Sequence, residues 1–322
     1  MLRLENIWIA TAALLLALVA GVPALARAQG ASKQEAVLVT GASSGIGRKI
    51  TELLAAKGHY VYAGARKQQD IDALSAIPNV EGIRLDVTND AEVRAAVERV
   101  RAGGRGLHGI VNNAGVSALG PLIEVEERDL DFVFGVNVYG PWRVTKAFAP
   151  LLIESKGRVI TVSSISGILA GPLNGPYSMS KHAVEAFGDA LAAELAPFGV
   201  RVSLIEPGNF RSDMARNVLA RVGDIEAKVK GSRYERQLRG FYTAIQGEDP
   251  GPEPDAVAQA ALHALFDPNP KMRYMVVSAA RQAEGTIRKA MRDLAQLNQG
   301  QEFSFDRETL IKMLDDALAR VR

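Results

Sequence analysis

The sequence predicts an α/β fold in which a doubly wound, seven-stranded parallel sheet carries helices on both faces. Three observations favour this fold: short apolar runs alternate with helical patterns, a glycine-rich turn joins the first run to the first helix, and polar motifs follow the ends of later runs. Strands separated by single helices imply right-handed crossovers and parallel pairing. We expect ligands beyond the carboxyl ends of the strands, where these motifs fall.

Seven apolar runs have the length and the flanking residues of strands. They span residues 36–39, 59–64, 80–86, 107–111, 157–164, 198–206 and 273–277. Helical patterns fill the connections, including long helices over 128–152 and 177–196, a helix over 255–266 and an amphipathic tail. We predict one domain over 34–322, with a lid at about 212–252 and a helical tail at about 280–322, preceded by an N-terminal hydrophobic segment over 1–33.

Composition excludes several classes of function. An apolar fraction of 48% is ample for a large core, and 38 basic against 36 acidic residues give a net charge of +2 without clustered Lys or Arg. We therefore expect no nucleic-acid partner. The chain has no cysteine, which excludes disulfides, Cys-ligated zinc and thiol catalysis, and its four histidines are not spaced like a metal pair. We expect no metal site.

The first apolar run leads directly into Thr40-Gly41-Ala42-Ser43-Ser44-Gly45-Ile46-Gly47, and a helical pattern follows. Glycines let the backbone approach a pyrophosphate closely, and the first-turn amides of a helix offer unpaired donors to an anion. Glycine loops also serve as plain turns, so the motif gains its meaning from its position between a strand and a helix.

Tyr177 and Lys181 stand four residues apart at the start of an apolar-periodic run, and on a helix they share a face. A nearby cation favours the ionised form of a phenol. We therefore expect Lys181 to lower the pKa of Tyr177, so that the tyrosine can exchange a proton near neutral pH. A lone Tyr-x-x-x-Lys pair is usually an ordinary helix, and its functional interpretation depends on the other motifs.

These motifs together resemble the short-chain dehydrogenase/reductase family, in its shorter-chain branch with Thr-Gly-x-x-x-Gly-x-Gly. The other shared motifs are Asn112-Asn113-Ala114-Gly115 after the fourth run and Ser164, thirteen residues before Tyr177. The resemblance covers about residues 36–278 and implies a Rossmann-like NAD(P)-dependent oxidoreductase. A general likeness to the retinol and hydroxysteroid dehydrogenase branch lies in Glu206-Pro207-Gly208 and Arg273-Tyr274.

The resemblance implies a catalytic set of Asn137, Ser164, Tyr177 and Lys181. In the family the tyrosine exchanges a proton with the substrate oxygen, the serine bonds that oxygen, the lysine holds the nicotinamide ribose and the asparagine holds a water that extends the proton relay. Ser163 is the second candidate for the serine. It ranks below Ser164 because strand alternation would aim its side chain to the other face.

The resemblance also implies cofactor-binding residues along the strand ends. They are Thr40, Gly41, Ser43, Ser44, Gly45, Ile46, Gly47, Arg66, Asp86, Val87, Asn113, Ala114, Gly115, Tyr177, Lys181, Pro207, Gly208 and Ser212. Asp86 is placed at the adenine, and Ser212 stands where the family usually has a threonine in the loop that binds the nicotinamide carboxamide.

Cofactor choice depends on the end of the second strand, where an acidic residue would bind the ribose of NAD. This chain has Ala65 there, followed by Arg66 and Lys67. Two cations suit a 2′-phosphate and no carboxylate repels it, so we predict NADP in preference to NAD. The alternative is that Arg66 merely begins a surface helix.

No sequence motif identifies the substrate. Apolar residues near the site, Ile165, Ile168, Leu169, Leu173 and Met214, favour a small hydrophobic alcohol, ketone or aldehyde. The alternative function is a catalytically silent NADP-binding sensor. The two long helices form a subunit interface in relatives, so we expect a homo-oligomer.

The N-terminal segment leaves the location of the protein open. Residues 7–26 form an uncharged run close to the length of about 20 residues that spans a bilayer. An uncleaved anchor would give membrane association with a cytoplasmic catalytic domain, and small residues after the run also fit a cleaved signal peptide and export. A misassigned start codon would leave a cytoplasmic protein.

Overall fold

The computed structural model describes residues 34–247 and 251–320. Its strands are β1 (Ala36–Val39), β2 (Tyr60–Ala65), β3 (Val80–Arg84), β4 (Gly109–Asn112), β5 (Arg158–Val162), β6 (Arg201–Pro207) and β7 (Arg273–Val276). They form one sheet in the order β3-β2-β1-β4-β5-β6-β7, and every neighbouring pair is parallel. The predicted fold class is confirmed. The strand order reverses between β1 and β4, which creates a crevice at their carboxyl ends.

Helices cover both faces of the sheet. They are α1 (Gly45–Ala56), α2 (Gln68–Ser75), α3 (Asp90–Ala102), α4 (Glu127–Asn137), α5 (Tyr139–Ser155), α6 (Gly175–Leu195), α7 (Met214–Val222), α8 (Ile225–Val229), α9 (Glu235–Gly247), α10 (Asp255–Phe266), α11 (Ala280–Asn298) and α12 (Arg307–Arg320). Short 3₁₀ turns occupy Ile165–Gly167 and Ala196–Phe198. The second of these turns lies where we expected the start of the sixth strand.

The continuous helix that we predicted over 128–152 is wrong, because two helices meet at Val138. Val138 has φ −110° and ψ −61° and forms the end of α4 and the start of α5. In a continuous helix the carbonyl of Asn137 would accept a bond from residue 141. That residue is Pro141, which has no N–H to donate. The break therefore places Asn137 at the last position of α4.

Two hydrophobic layers enclose the sheet. Alternation along β1 sends Val37 and Val39 into a layer with α1, α2 and α10, and Ala36 and Leu38 into a layer with α3 and α5. All four residues of this central strand are buried, as expected where helices cover both faces. Full burial of each large apolar side chain contributes about 1.5–3 kcal/mol to folding. The sheet is therefore a firm base for the loops at its carboxyl edge.

The predicted lid consists of α7, α8 and α9, and residues 248–250 lie outside the described chain. The lid has a small core of its own, in which Val229, Leu238 and Tyr242 pack around Leu173. Leu173 adopts a left-handed backbone conformation, with φ 64°, which a leucine rarely takes. Its carbonyl accepts a bond from the Gly120 amide at 2.8 Å. Leu173 thus connects the lid to the segment that follows β4.

Polar contacts also hold the lid on the domain. The Glu124 carboxylate accepts hydrogen bonds from the Ser232 hydroxyl at 2.5 Å and from the Arg233 amide at 3.0 Å. Arg221 of α7 forms an ion pair with Asp129 of α4 at 2.8 Å. These contacts join the lid to residues just before and at the start of α4.

The predicted helical tail contains α11 and α12, which carry outward-facing apolar side chains. Examples are Ile287, Met291, Leu294 and Leu297. The predicted subunit interface of the helices over 128–152 and 177–196, which are α4, α5 and α6 in the structure, stays a prediction. Within the described part of the chain, no helix has the combined length and apolar character that crossing a bilayer requires. The predicted membrane or signal segment, residues 7–26, lies outside the described residues.

Candidate active site

The glycine-rich turn forms a close-fitting cradle at the start of α1. Gly45 adopts φ 55°, and a Cβ on Gly47 would lie 2.3 Å from the Asn113 side-chain nitrogen and 2.4 Å from the Gly41 carbonyl oxygen. Ser44 is the residue before α1 and its side chain caps no amide, and the first turn of α1 carries no acidic residue. The helix therefore presents its partial positive charge to an anion, as a dinucleotide pyrophosphate requires.

Hydrogen bonds fasten this turn to the end of β4. The Thr40 hydroxyl accepts bonds from the Asn113 and Ala114 amides at 3.0 and 3.1 Å and is 3.4 Å from the Val111 carbonyl oxygen. The Asn113 side-chain amide donates to the Thr40 and Gly41 carbonyls, both at 3.0 Å. Thr40 is 1% exposed, so its hydroxyl supports the loop from within.

Asn137 continues these contacts toward α6. Its Oδ1 accepts from the Val116 amide, and its Nδ2 donates to the Val116 carbonyl and to the Ser180 hydroxyl, each at 2.9 Å. The Ser180 hydroxyl then donates to the Tyr177 carbonyl at 2.7 Å. The side chain of Asn137 is thus engaged by protein groups at both its oxygen and its nitrogen. Its main-chain carbonyl receives no helical bond from residue 141, because Pro141 has no N–H to donate.

Tyr177, Lys181 and Ser164 lie together at the start of α6 and the end of β5. The Lys181 nitrogen is 5.5 Å from the centre of the Tyr177 ring and donates to the Val162 carbonyl at 2.8 Å. Ser164 is near enough to act on the pKa of Tyr177, and its Oγ accepts from the Ser166 amide at 3.0 Å and donates to the Pro207 carbonyl at 3.4 Å. The three side chains therefore meet as the spacing predicted.

The runner-up serine points elsewhere. The buried Ser163 hydroxyl has no hydrogen-bond partner among the described residues and is 3.1 Å from the position that a Cβ on Gly167 would take. Ser164, and not Ser163, acts on the pKa of Tyr177. This difference follows the alternation of side chains along an extended segment.

Burial raises the pKa of Tyr177, and the neighbouring Ser164 side chain opposes that effect. The structure therefore shows the opposite of the expected lowering of this pKa, because the phenol itself is buried. Burial also lowers the pKa of Lys181, to about 8, and Lys181 is only 5% exposed. A buried cation loses hydration that favours its charge, and so does a buried phenolate.

The loop after β6 faces the glycine turn. The Gly208 amide donates to the Val276 carbonyl at 2.8 Å, which fixes the start of the loop beside β7. Further along, Ser212 lies against the turn, since a Cβ on Gly45 would be 3.2 Å from the Ser212 Cβ. The structure thus brings together the glycine turn, the Asn113 loop and the Pro207–Ser212 loop, which the sequence placed far apart.

The ends of β2 and β3 form the other side of the crevice. Arg66 and Lys67 are exposed, and Arg84 donates to the Arg66 carbonyl at 2.7 Å. Asp86 accepts from the Thr88 amide and hydroxyl at 2.9 and 2.7 Å. Val87, expected in the cofactor set, is buried.

Sequence reasoning missed Arg84 as a member of this group. Arg84 is the register partner of Ala65 on β2, and so it adds a third cation near Arg66 and Lys67. The adjacency of β2 and β3 that is usual in a doubly wound sheet is the signal from which Arg84 could have been predicted.

A cavity of about 610 Å³ lies between the lid and the start of α4. Its lining consists of Ser117, Ala118, Leu119, Glu126, Arg128, Asp129, Val218, Arg221, Val222, Asp224, Ala227 and Lys228. Neither Ser164 nor Tyr177 belongs to that lining. The cavity is therefore a neighbour of the reaction centre rather than the centre itself.

Comparison with known proteins agrees with this geometry. The model of the short chain dehydrogenase family matches residues 35–222. The chain belongs to the short-chain dehydrogenase/reductase family. The expected family and enzyme class are confirmed, and the protein is an NAD(P)-dependent oxidoreductase. The glycine cradle described above fits such a cofactor, because a Cβ at Gly47 would fill it.

Curated relatives match most of the length of this dehydrogenase. It is 34% identical to the mitochondrial D-beta-hydroxybutyrate dehydrogenase of Rattus norvegicus over 76% of this chain and 77% of the relative. It is 38% identical to the NADPH-dependent 3-dehydrocapnine reductase of Ornithobacterium rhinotracheale, over 74% and 87%. It is 34% identical to retinol dehydrogenase 16 of Rattus norvegicus, over 74% and 79%.

Solved structures of family members share the fold. A Burkholderia phymatum short-chain dehydrogenase/reductase in complex with NAD superposes with a TM-score of 0.68 at 28% identity, covering 84% of this chain and 98% of that one. A Burkholderia cenocepacia short-chain dehydrogenase in complex with NADP gives 0.63 at 26% identity, covering 82% and 96%. Both of these structures hold a nicotinamide cofactor.

Replacement of Gly47 by alanine tests the cradle. The new methyl group would collide with the Gly41 carbonyl and the Asn113 amide, so we expect Gly47→Ala to raise the dissociation constant of the cofactor about tenfold or more and to lower Tm. Cofactor titration by fluorescence and thermal unfolding measure both. The matched control is Gly240→Ala in α9, where a Cβ meets nothing within 4 Å. Equal binding and melting of Gly47→Ala and the wild type would contradict the assignment.

Proposed function

We propose that this enzyme transfers a hydride between the nicotinamide of NADP and a hydrophobic alcohol, ketone or aldehyde. The observation that carries the proposal is the convergence of Tyr177, Ser164 and Lys181 beside the loop that contacts the glycine turn. A Cβ on Gly115 of that loop would lie 4.0 Å from the Lys181 nitrogen and 3.7 Å from Asn137 Oδ1. Cofactor loop and proton-transfer residues therefore share one site.

Each side chain of the site has a part to play in the reaction. When bound, the nicotinamide supplies or accepts the hydride. In reduction the Tyr177 hydroxyl gives its proton to the substrate oxygen, and in oxidation it takes that proton back. Ser164 donates a hydrogen bond to the same oxygen and so stabilises negative charge that develops there.

Lys181 fits the role of ribose holder. An ammonium has three N–H donors, and one goes to the Val162 carbonyl. We assign the others to ribose hydroxyls and to the relay water at the Asn137 carbonyl. Binding these partners favours the charged form of Lys181, and a charged Lys181 in turn favours the ionised form of Tyr177. The expected lowering of the Tyr177 pKa thus belongs to the loaded site.

Preference for NADP is supported by charge at the end of β2. Arg66, Lys67 and Arg84 are exposed there, and the nearby Asp86 has one carboxylate oxygen engaged by Thr88. A 2′-phosphate adds a dianion to the cofactor, which guanidinium groups bind strongly. One curated relative is named as NADPH-dependent.

A hydrophobic substrate is supported by the apolar residues of the lid. Leu173, four residues before Tyr177, packs in the lid core, and retinol dehydrogenase 16 is among the relatives. The catalytically silent sensor gains no support, since the relatives reported above are named as dehydrogenases or reductases.

A substrate panel tests the proposed function. NADPH and NADH oxidation are followed at 340 nm with ketones and aldehydes of increasing chain length, and the reverse reaction with the matching alcohols. We expect turnover that rises with the apolar area of the substrate and is faster with NADPH. Absence of turnover across the panel with both cofactors would contradict the function.

Replacement of Tyr177 by phenylalanine isolates proton transfer. We expect Tyr177→Phe to lower kcat about 10²–10⁴-fold, because general acid catalysis is lost while the ring is kept. Cofactor affinity should stay near the wild-type value, as measured by fluorescence titration. Activity of Tyr177→Phe within a few-fold of the wild type would rule out the assigned role.

Replacement of Arg66 by alanine tests cofactor choice. The loss of a charge-assisted hydrogen bond should raise the dissociation constant of NADPH about tenfold and leave that of NADH nearly unchanged. The exposed Arg94 of α3 provides the control variant Arg94→Ala, for which we expect no discrimination. A parallel loss of affinity for both cofactors in Arg66→Ala would contradict 2′-phosphate recognition.

A further inference from the structure

An acidic pair lies behind Lys181, where α6 meets the end of β6 and the start of β7. Glu185 follows Lys181 by one helical turn, and Glu206 lies near the end of β6; their side chains are 12% and 3% exposed. Arg273 places its Nε 3.1 Å from Glu185 Oε2 and 3.3 Å from Glu206 Oε1, although only the contact with Glu185 has hydrogen-bond geometry. The proposed reaction uses none of these three side chains.

The two carboxyl groups are close enough to act on each other. Burial, followed by the charge of Glu185, raises the pKa of Glu206 to about 8. Glu206 therefore holds a proton at neutral pH. Glu185 is the carboxylate that accepts the hydrogen bond from Arg273.

Glu185 is fixed in position by packing as well as by Arg273. A Cβ on Gly167 would lie 2.8 Å from Glu185 Cγ and 3.0 Å from its Oε1. Gly167 ends the 3₁₀ turn that begins just after Ser164. The carboxylate is thus held between α6 and the turn that carries the serine of the site.

Lys181 has few charged neighbours. Tyr177 faces it from α6, the Val162 carbonyl from β5, and Gly115 with Asn137 from the opposite side, all uncharged at neutral pH. Lys181 makes no direct ion pair with any described residue. Glu185 is the charged group that acts on it, and it opposes the effect of burial on the Lys181 pKa.

We propose that Glu185 is a positioning residue whose carboxylate keeps the Lys181 ammonium charged, while Glu206 and Arg273 hold that carboxylate in place. The inference rests on the function proposed above for Lys181. It extends that function to Glu206 and Arg273, which the sequence showed only as parts of two family-like segments.

The chain offers a matched control for this inference. Asp189 also contacts Arg273, at 2.8 Å, but it stands eight residues from Lys181 and its side chain is 58% exposed. Asp189→Asn removes a carboxylate from the same arginine without altering the charge next to Lys181. A purely structural role of Arg273 and its partners would make Glu185→Gln and Asp189→Asn similar in their effect on Lys181.

The test is a pH titration of the Lys181 ¹⁵Nζ resonance in full-length protein labelled at lysine. The resonance is identified by its loss in Lys181→Arg. We expect a midpoint near pH 8 in the wild type. The midpoint should fall by roughly half a pH unit or more in Glu185→Gln, because an opposite charge is lost. It should stay unchanged in Asp189→Asn. The alkaline limb of kcat/KM should shift with the resonance.

Two results would overturn the inference: an unchanged midpoint in Glu185→Gln, or equal shifts in Glu185→Gln and Asp189→Asn. The titration needs no substrate and separates this inference from the proposed function. A selective shift in Glu185→Gln without turnover on any substrate would support the contact with Lys181 and overturn the proposed reaction instead.

A stability measurement tests whether Glu206 holds a proton in the folded protein. A carboxyl with a raised pKa in the folded protein keeps a proton that the unfolded chain releases above its ordinary pKa, so folding stability falls as pH rises toward about 8. Glu206→Gln mimics the protonated carboxyl and should flatten that fall in urea unfolding followed from pH 5 to 9. An unaltered slope in Glu206→Gln would place the proton elsewhere and overturn this part of the inference.

Discussion

The hydroxyl group of Thr40 is the constraint on which the arrangement of the site depends. It joins the carboxyl ends of β1 and β4, the two neighbouring strands between which the strand order reverses. From there, hydrogen bonds pass through Asn113 and the loop after it to Asn137, then to Ser180 and the Tyr177 carbonyl. Glycine turn and reacting phenol are therefore parts of one bonded assembly, and neither is positioned independently.

Burial has opposite consequences along this assembly. The amide of Asn137 and the hydroxyl of Thr40 are buried without cost because protein groups satisfy them. Lys181 gives one bond to a carbonyl, and its burial lowers its pKa to about 8. A buried ammonium of this kind favours binding of polar groups, since their hydrogen bonds replace the bonds to water that burial removed.

Much of the fold followed from the sequence because parallel strands buried on both faces read as continuous apolar runs. The break between α4 and α5 was missed because apolar periodicity continues across it, although Pro141 gave a local warning. Residues within one motif, such as Tyr177 and Lys181, could be grouped from the sequence because only a few positions separate them. The ion pair between Glu185 and Arg273 joins residues 88 positions apart. No local sequence pattern predicts that two charged residues so far apart will meet.

The unusual backbone of Leu173 couples two parts of the chain. A leucine in a left-handed conformation costs about 1–2 kcal/mol, and here the apolar contacts with Val229, Leu238 and Tyr242 offset that cost. Any movement of α8 and α9 away from Leu173 would remove these contacts and leave the cost without compensation. Because the Leu173 carbonyl also accepts the Gly120 bond, such a movement would be transmitted to the segment that follows the Asn113 loop.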